Sequence, residues 1–272
     1  MMDFLKNLDK DLQKALMVQL RNLWTHTSTA IEGNTLTLGE TAFVLEEGLT
    51  ISGKPLKDHE EVVGHARAID LVYELVEGGA VFSEEQLFSL HKAVQTQQVV
   101  DVYKPVGAWK KEPNATVAVV GGKQIVFDYA LPDDVPELMK RWFGLYGDLA
   151  GYVPPGESRQ ALDAYVRLHV SFVRIHPFFD GNGRMARLIA NIPILEAGLP
   201  PIIIPKEKRK QYIDALSEYH AAAGQIQKGG DLLACPDALE TFAKFCEQAW
   251  EASLSLVKEI RQMQENRDNR AE

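Results

Sequence analysis

His176-Pro177-Phe178-Phe179-Asp180-Gly181-Asn182-Gly183-Arg184-Met185-Ala186-Arg187 brings a proton acceptor, an acid, a Gly-Asn-Gly turn and two arginines into one short stretch. Before it, residues 161–175 contain no Gly or Pro, and Leu162, Val166, His169 and Val173 recur at helical spacing. The spacing predicts a helix ending near His176, because Pro177 disfavours helical geometry at the residue before it. Gly181-Asn182-Gly183 allows positive φ and a close backbone approach to a ligand. A second helix is expected from about Arg184 to Gly198, a glycine suited to the C-terminal cap. Its first N–H groups lack helical acceptors and form an anion site at the positive end of the dipole.

These parts fit a nucleotide with its phosphates over the loop. Arg184 and Arg187, three apart, share a helix face and can fork onto phosphate oxygens. Asp180 is a hard oxygen ligand, and one carboxylate plus phosphate oxygens is how Mg²⁺ is usually held. His176 has the near-neutral character of a general base. Any one of these residues alone reads as a cap, a turn or a surface group. Their joint spacing carries the argument.

The segment resembles the signature of the Fic family in the Fic/Doc superfamily, His-x-Phe-x-(Asp/Glu)-Gly-Asn-Gly-Arg-x-x-Arg. His176, Phe178, Asp180, Gly181, Asn182, Gly183, Arg184 and Arg187 match every defined position. The resemblance implies transfer of AMP from ATP to a hydroxyl of a target protein. By position, His176 would take the hydroxyl proton and Asp180 would hold Mg²⁺. Gly181, Asn182 and Gly183 would bind the α- and β-phosphates, Arg184 the β-phosphate and Arg187 the γ-phosphate. Asn191 and Tyr212 fall where such proteins line a nucleoside pocket, with plain packing as the alternative for each.

Ser28-Thr29-Ala30-Ile31-Glu32-Gly33-Asn34 reads by composition as a helix end. Glu32 sits badly with the dipole there and needs another partner, or is simply solvated. The segment looks like the inhibitory motif of self-restrained Fic proteins, (Ser/Thr)-x-x-x-Glu-(Gly/Asn), through Ser28, Glu32 and Gly33. That likeness implies an N-terminal-side inhibitory helix whose Glu32 pairs with Arg187 and misplaces ATP. In some relatives the same glutamate positions water for removing AMP.

The rest of the chain reads as mostly helical, with helices near 3–32, 37–48, 58–78, 83–98, 133–150, 158–176, 184–197, 206–223 and 236–265. Thr37 with Glu40 and Ser83 with Gln86 are capping-box patterns. Pro193 is expected to kink the helix after the signature. Residues 115–127, β-branched on both sides of Gly121-Gly122, read as a hairpin. The resemblance implies that this hairpin is the flap that holds a target segment by strand addition. The fold expected is therefore all-α, a Fic-like helical bundle with a β-hairpin flap. Its organisation is an N-terminal helical region 1–80 with the inhibitory motif, a catalytic core 81–223 and a C-terminal helical extension 224–272. In the extension, Phe242, Cys246, Ala249, Ser253, Leu256, Ile260 and Met263 suggest a core-docking helix, with a frayed tail over 265–270. Nothing after Gly229 reads as a winged helix.

Length and composition are those of a globular protein of one or two domains: 272 residues, 46% hydrophobic and 25% charged. A net charge of −9 argues against nucleic acid as partner. No long apolar run suggests a membrane. Two cysteines, Cys235 and Cys246, supply no disulfide framework, so a cytoplasmic setting is expected. His169 reads as a hydrogen-bonded core residue. The expected cofactors are ATP as co-substrate and Mg²⁺, and the expected partner is a target protein. The oligomeric state is open, a homo-oligomer included. Within the same fold, removal of AMP or transfer of another nucleotide, phosphate or phosphocholine competes with adenylylation. From a different class, a non-catalytic nucleotide-sensing scaffold competes, though a pure binder needs no base.

Overall fold

The computed structural model describes residues 2–96, 101–151 and 153–271. Helices dominate it: α1 Lys10–Ile31, α2 Leu38–Glu47, α3 Leu56–Gly78, α4 Glu84–Val94, α5 Val135–Ala150, α6 Ser158–Ile175, α7 Asn182–Ile189, α8 Ile192–Glu196, α9 Arg209–Ala223 and α10 Leu239–Ala271. One antiparallel hairpin, β1 Ala115–Val120 with β2 Lys123–Asp128, interrupts them. The expected bundle with a hairpin flap is the fold observed.

One large apolar core, with members from Met2 to Ile260, unites the three stretches of chain named above, and a small second cluster of Leu36, Val44 and Val62 lies beside it. Helix α6 lies at its centre, packed against α5, α7, α8 and α10. Ala161, Tyr165, Leu168 and Phe172 are fully buried along it. From α10, Phe242, Cys246, Ala249 and Ser253 dock as expected, while Met263 stays half-exposed.

Several helix boundaries differ from the sequence expectation. The first helix is not continuous from residue 3. A short turn, Asp3–Leu5, is separated from α1 by Asn7 in the left-handed region. The helix after the signature breaks rather than kinks. The Pro193 ring would collide with the carbonyl four residues back, and α7 ends at that residue, Ile189. Pro193 instead sits in the first turn of α8, where its missing N–H costs nothing. The tail does not fray: α10 runs to Ala271, with Arg267 forked onto Asp11 and also reaching Asp9. The fourth helix stops at Val94, and residues 97 and 98 of its expected span lie outside the described residues.

The capping residues behave as read. Thr37 Oγ1 accepts from the Glu40 N–H, and Glu40 reaches back to the Thr37 N–H. Gln86 reaches back to Ser83 in the same way. Gly121 and Gly122 both take positive φ, the requirement of a two-residue type I′ hairpin turn. His169 is a core residue, fully buried with Nε2 against the Tyr212 hydroxyl at 2.9 Å. No helix among the described residues is long and apolar enough to cross a membrane.

Candidate active site

The signature loop joins α6 to α7. His176 caps α6 in the left-handed region (φ 54°), which turns the chain away from the helix axis. Gly181, the N-cap of α7, also has positive φ (80°), the conformation glycine adopts without penalty. Asn182 and Gly183 are already helical, so α7 begins two residues before the expected start. The Asn182 side chain is buried and closes on the backbone of Phe178 through both amide atoms, at 2.9 and 2.8 Å. It therefore shapes the loop, and only its N–H is left for an anion. The first helical bond of α7 runs from Met185 to Gly181. The N–H groups ahead of it have no helical acceptor.

His176, Asp180, Gly181, Asn182, Gly183, Arg184, Arg187, Glu32 and Tyr212 all line one cavity of about 960 Å³. The flap and α9 form its far wall through Val117, Phe127, Ile213 and Ser217 among others. His176 Nδ1 lies 3.1 Å from the Val173 carbonyl. A carbonyl only accepts, so Nδ1 carries the hydrogen and Nε2 keeps its lone pair. Burial holds the imidazole well below its ordinary value, so it is neutral and able to accept a proton.

Asp180 is the exposed member of the loop. Burial alone would raise its carboxyl. The hydrogen bond from Gln95 at 2.8 Å and the nearby Arg184 charge outweigh burial and hold it below the usual range. Gln95 serves both residues, since its Oε1 accepts from Arg184 Nη2 at 3.0 Å. Arg184 also donates to the Val94 carbonyl, and its buried Nε has no partner. Gathered groups of three or more His, Cys, Asp or Glu do not occur among the described residues. A single ionised carboxylate beside an anion cradle is nonetheless the donor set that suits Mg²⁺ shared with phosphate oxygens.

Arg187 is fully engaged. Nε donates to Ser28 Oγ at 3.0 Å, and Nη2 donates to the Ser28 carbonyl at 2.9 Å and to Glu32 Oε1 at 2.6 Å. Nη1 reaches the Tyr212 hydroxyl at 3.4 Å, and the guanidinium lies over the Tyr212 ring. Burial works against the charge, but Glu32 and Tyr212 more than restore it. Glu32 is the C-cap of α1 and Gly33 follows it at φ 102°, where glycine terminates helices. Gly183 completes the fit: a Cβ there would stand 2.7 Å from Glu32 Oε1.

Two expected nucleoside contacts are placed differently. Asn191 is fully buried and does not line the cavity. Its amide donates to the Arg187 and Ile202 carbonyls and accepts from the Ile202 N–H, which ties the α7–α8 break to the following loop. Packing is therefore the role the structure gives it. Tyr212 does reach the cavity, but its hydroxyl is occupied by His169 and Arg187.

Several neighbours of the site carried no signal in the sequence. Gln95 is one. His91 is another, stacked on Phe178 at 3.7 Å. Its Nδ1 accepts from the Gly107 N–H and its Nε2 donates to the Asp180 carbonyl. Lys110 and Asn114 form a clasp under the loop. The Lys110 N–H donates to Pro177 O at 2.9 Å, Lys110 Nζ to Asn114 Oδ1 at 2.6 Å, and Asn114 Nδ2 to Phe178 O at 2.9 Å.

Comparison with known proteins agrees with this geometry. Residues 81–194 match the model of the Fic/DOC family. Protein adenylyltransferase fic-1 of Caenorhabditis briggsae is 32% identical over 207 residues, covering 75% of this chain and 37% of that protein. Protein adenylyltransferase Fic of Culex quinquefasciatus is 30% identical over 230 residues, covering 84% and 40%. The match thus spans well under half the length of these curated relatives. A Fic-domain-containing signaling protein from Bacteroides thetaiotaomicron superposes with TM-score 0.81 at 27% identity, covering 95% of this chain and 93% of that one. Fic-1 of C. elegans superposes with TM-score 0.68 at 26% identity, over 93% and 68%. With the signature loop, the flap and the helical core in place, the chain carries a Fic/DOC family domain.

Proposed function

We propose that this protein is a Mg²⁺- and ATP-dependent protein adenylyltransferase that Glu32 holds in a restrained state. One observation carries the reading: a neutral His176 with a free Nε2 lines the same cavity as an N-terminal helix cradle and two buried arginines. The adenylyltransferase names of relatives about 30% identical support it.

In this reading the triphosphate lies over Gly181, Asn182 and Gly183, with Arg184 on the β-phosphate and Arg187 on the γ-phosphate. Mg²⁺, held by Asp180 with phosphate oxygens, would neutralise charge developing on the pyrophosphate. His176 Nε2 takes the proton of a target hydroxyl. That oxygen bonds to the α-phosphorus, and the bond to the β-phosphate oxygen breaks. The flap, around residues 115–127, is where the target segment is held. Val117 and Val126, paired across the strands and both 60% exposed, give it an apolar face for such a segment. Glu32 competes with the γ-phosphate for Arg187, which is the basis of the restraint.

A second reading, hydrolytic removal of AMP, is favoured by one feature. The Glu32 carboxylate is 41% exposed and opens on the cavity that holds His176. Intact-mass spectrometry of the protein and its Glu32→Gly variant, incubated with each nucleoside triphosphate and Mg²⁺, tests the assignment. Self-modification with ATP by one adenylyl group, the mass of AMP less one water, is expected. No adduct with any triphosphate, on this chain or on added protein substrates, counts against it.

A further inference from the structure

The loop after β2 brings Tyr129 face to face with His176. The two rings stack at 3.6 Å between centroids, with 10° between their planes. Tyr129 is buried, and its backbone is pinned on both sides. Its N–H donates to the Asn114 carbonyl at 3.3 Å, and its carbonyl accepts from Gln225 at 2.9 Å. Asn114 is itself bonded to Phe178 O, inside the signature loop. His220 also packs against the tyrosine, edge-on at 5.9 Å, which further limits the room its ring has to turn.

We infer that Tyr129 is the positioning residue for His176. The bond from Nδ1 to Val173 O fixes the tautomer and one edge of the imidazole. It leaves rotation about that edge open, and the Tyr129 face removes this freedom. The same face attracts the imidazolium that forms once His176 has taken a proton. Because Tyr129 follows the flap directly, the base and the segment that holds the target are set by one rigid unit. The inference rests on His176 acting as base in the proposed function.

Two measurements test it. The first is AMP transfer in the Glu32→Gly background, comparing Tyr129→Leu, which lacks a ring, with Tyr129→Phe, which keeps one. Misplacement of a reacting group by about 1 Å can cost about a hundredfold, so Tyr129→Leu is expected to lower kcat by roughly ten- to a hundredfold. KM for ATP should stay within about twofold, the pattern of an interaction used in the chemical step. Tyr129→Phe should restore most of the rate. The second is carbethoxylation of His176 by diethyl pyrocarbonate, read by mass spectrometry without nucleotide. Uncovering one imidazole face should speed it in Tyr129→Leu and not in Tyr129→Phe. Tyr129→Met replaces the leucine variant if circular dichroism finds that one unfolded. An unchanged kcat in the ringless variant, a loss confined to KM, or an equal loss in Tyr129→Phe overturns the inference. Absence of AMP transfer in every protein, the Glu32→Gly parent included, counts against the proposed function. The carbethoxylation rates then decide Tyr129 alone, and equal rates overturn it.

Discussion

Arg187 donates to the Glu32 carboxylate at 2.6 Å, linking positions 155 residues apart in the chain. The guanidinium is buried and the carboxylate is part-exposed, so the pair is held mainly from the arginine side. Removing the glutamate leaves a buried charge without its counter-ion, a loss that can cost about 3–5 kcal/mol. A γ-phosphate can fill that role.

Glu32→Gly is therefore expected to raise AMP incorporation. A restrained state favoured by about 2–3 kcal/mol leaves roughly 1% of molecules competent, so the gain can approach a hundredfold. The measurement is labelled-AMP incorporation by both proteins at the same Mg²⁺. Equal or lower incorporation in the variant sinks the brake. Loss of an AMP-removing activity on a modified target would instead make Glu32 mainly hydrolytic.

Arg187→Ala separates the two uses of one guanidinium. Transfer should fall, because the γ-phosphate loses its clamp. In the Arg187→Ala protein a further Glu32→Gly change should be nearly silent, since the pair no longer exists. Full additivity of the two changes in a double-mutant cycle on the transfer rate would show that the contact has no bearing on activity.

His176→Ala should lower transfer by about 10²–10⁴ while nucleotide binding stays nearly intact. The pH profile gives a second handle. Burial lowers the imidazole in the free protein, so the base stays unprotonated well below the ordinary histidine range. The acid limb of kcat/KM assigned to His176 should lie below about pH 6.5. An acid limb at or above that value contradicts the environment described for His176.

The sequence made the fold and the loop chemistry legible because both depend on local rules. Pro177, Gly181 and the 3–4 spacing of α6 act within a few residues of themselves. The Glu32–Arg187 pair was legible only because two separate motifs matched a family pattern. Neither stretch alone implies a contact across so much chain. What was not legible depends on which side chains meet in space. Gln95 between Asp180 and Arg184, the Lys110–Asn114 clasp and Tyr129 against His176 have no sequence period. Asn191 shows the opposite case: its position suggested a ligand contact, but both of its amide hydrogens and one acceptor site of its oxygen are spent on the backbone of Arg187 and Ile202.

Asn191→Ala should accordingly reduce stability and leave ATP affinity of the folded protein unchanged. Three buried backbone partners lose their bonds, and the expected cost is about 2–4 kcal/mol. Urea unfolding together with ATP titration of the Glu32→Gly background checks both halves. A large loss of affinity without loss of stability would return Asn191 to the nucleoside pocket.

Lys110 gives a pH dependence of stability whose sign is fixed. Its ammonium is buried against a single acceptor, Asn114 Oδ1, and burial pushes its pKa down from 10.5 to about 7. Between those two values the unfolded chain keeps the proton and the folded chain releases it. Stability therefore rises with pH across that window, by up to about 1 kcal/mol per pH unit from this group. Below it both states carry the proton, and the full cost of burying the charge persists. His176, which feels the Lys110 charge, is held neutral well below this range and adds no slope of its own. Lys110→Met keeps the volume and loses the titration. Urea unfolding of the two proteins at about pH 6 and about pH 9 should show the native lysine gaining relative to methionine as pH rises. A difference that does not change with pH, or that changes in the opposite direction, means that the lysine keeps its proton in the fold.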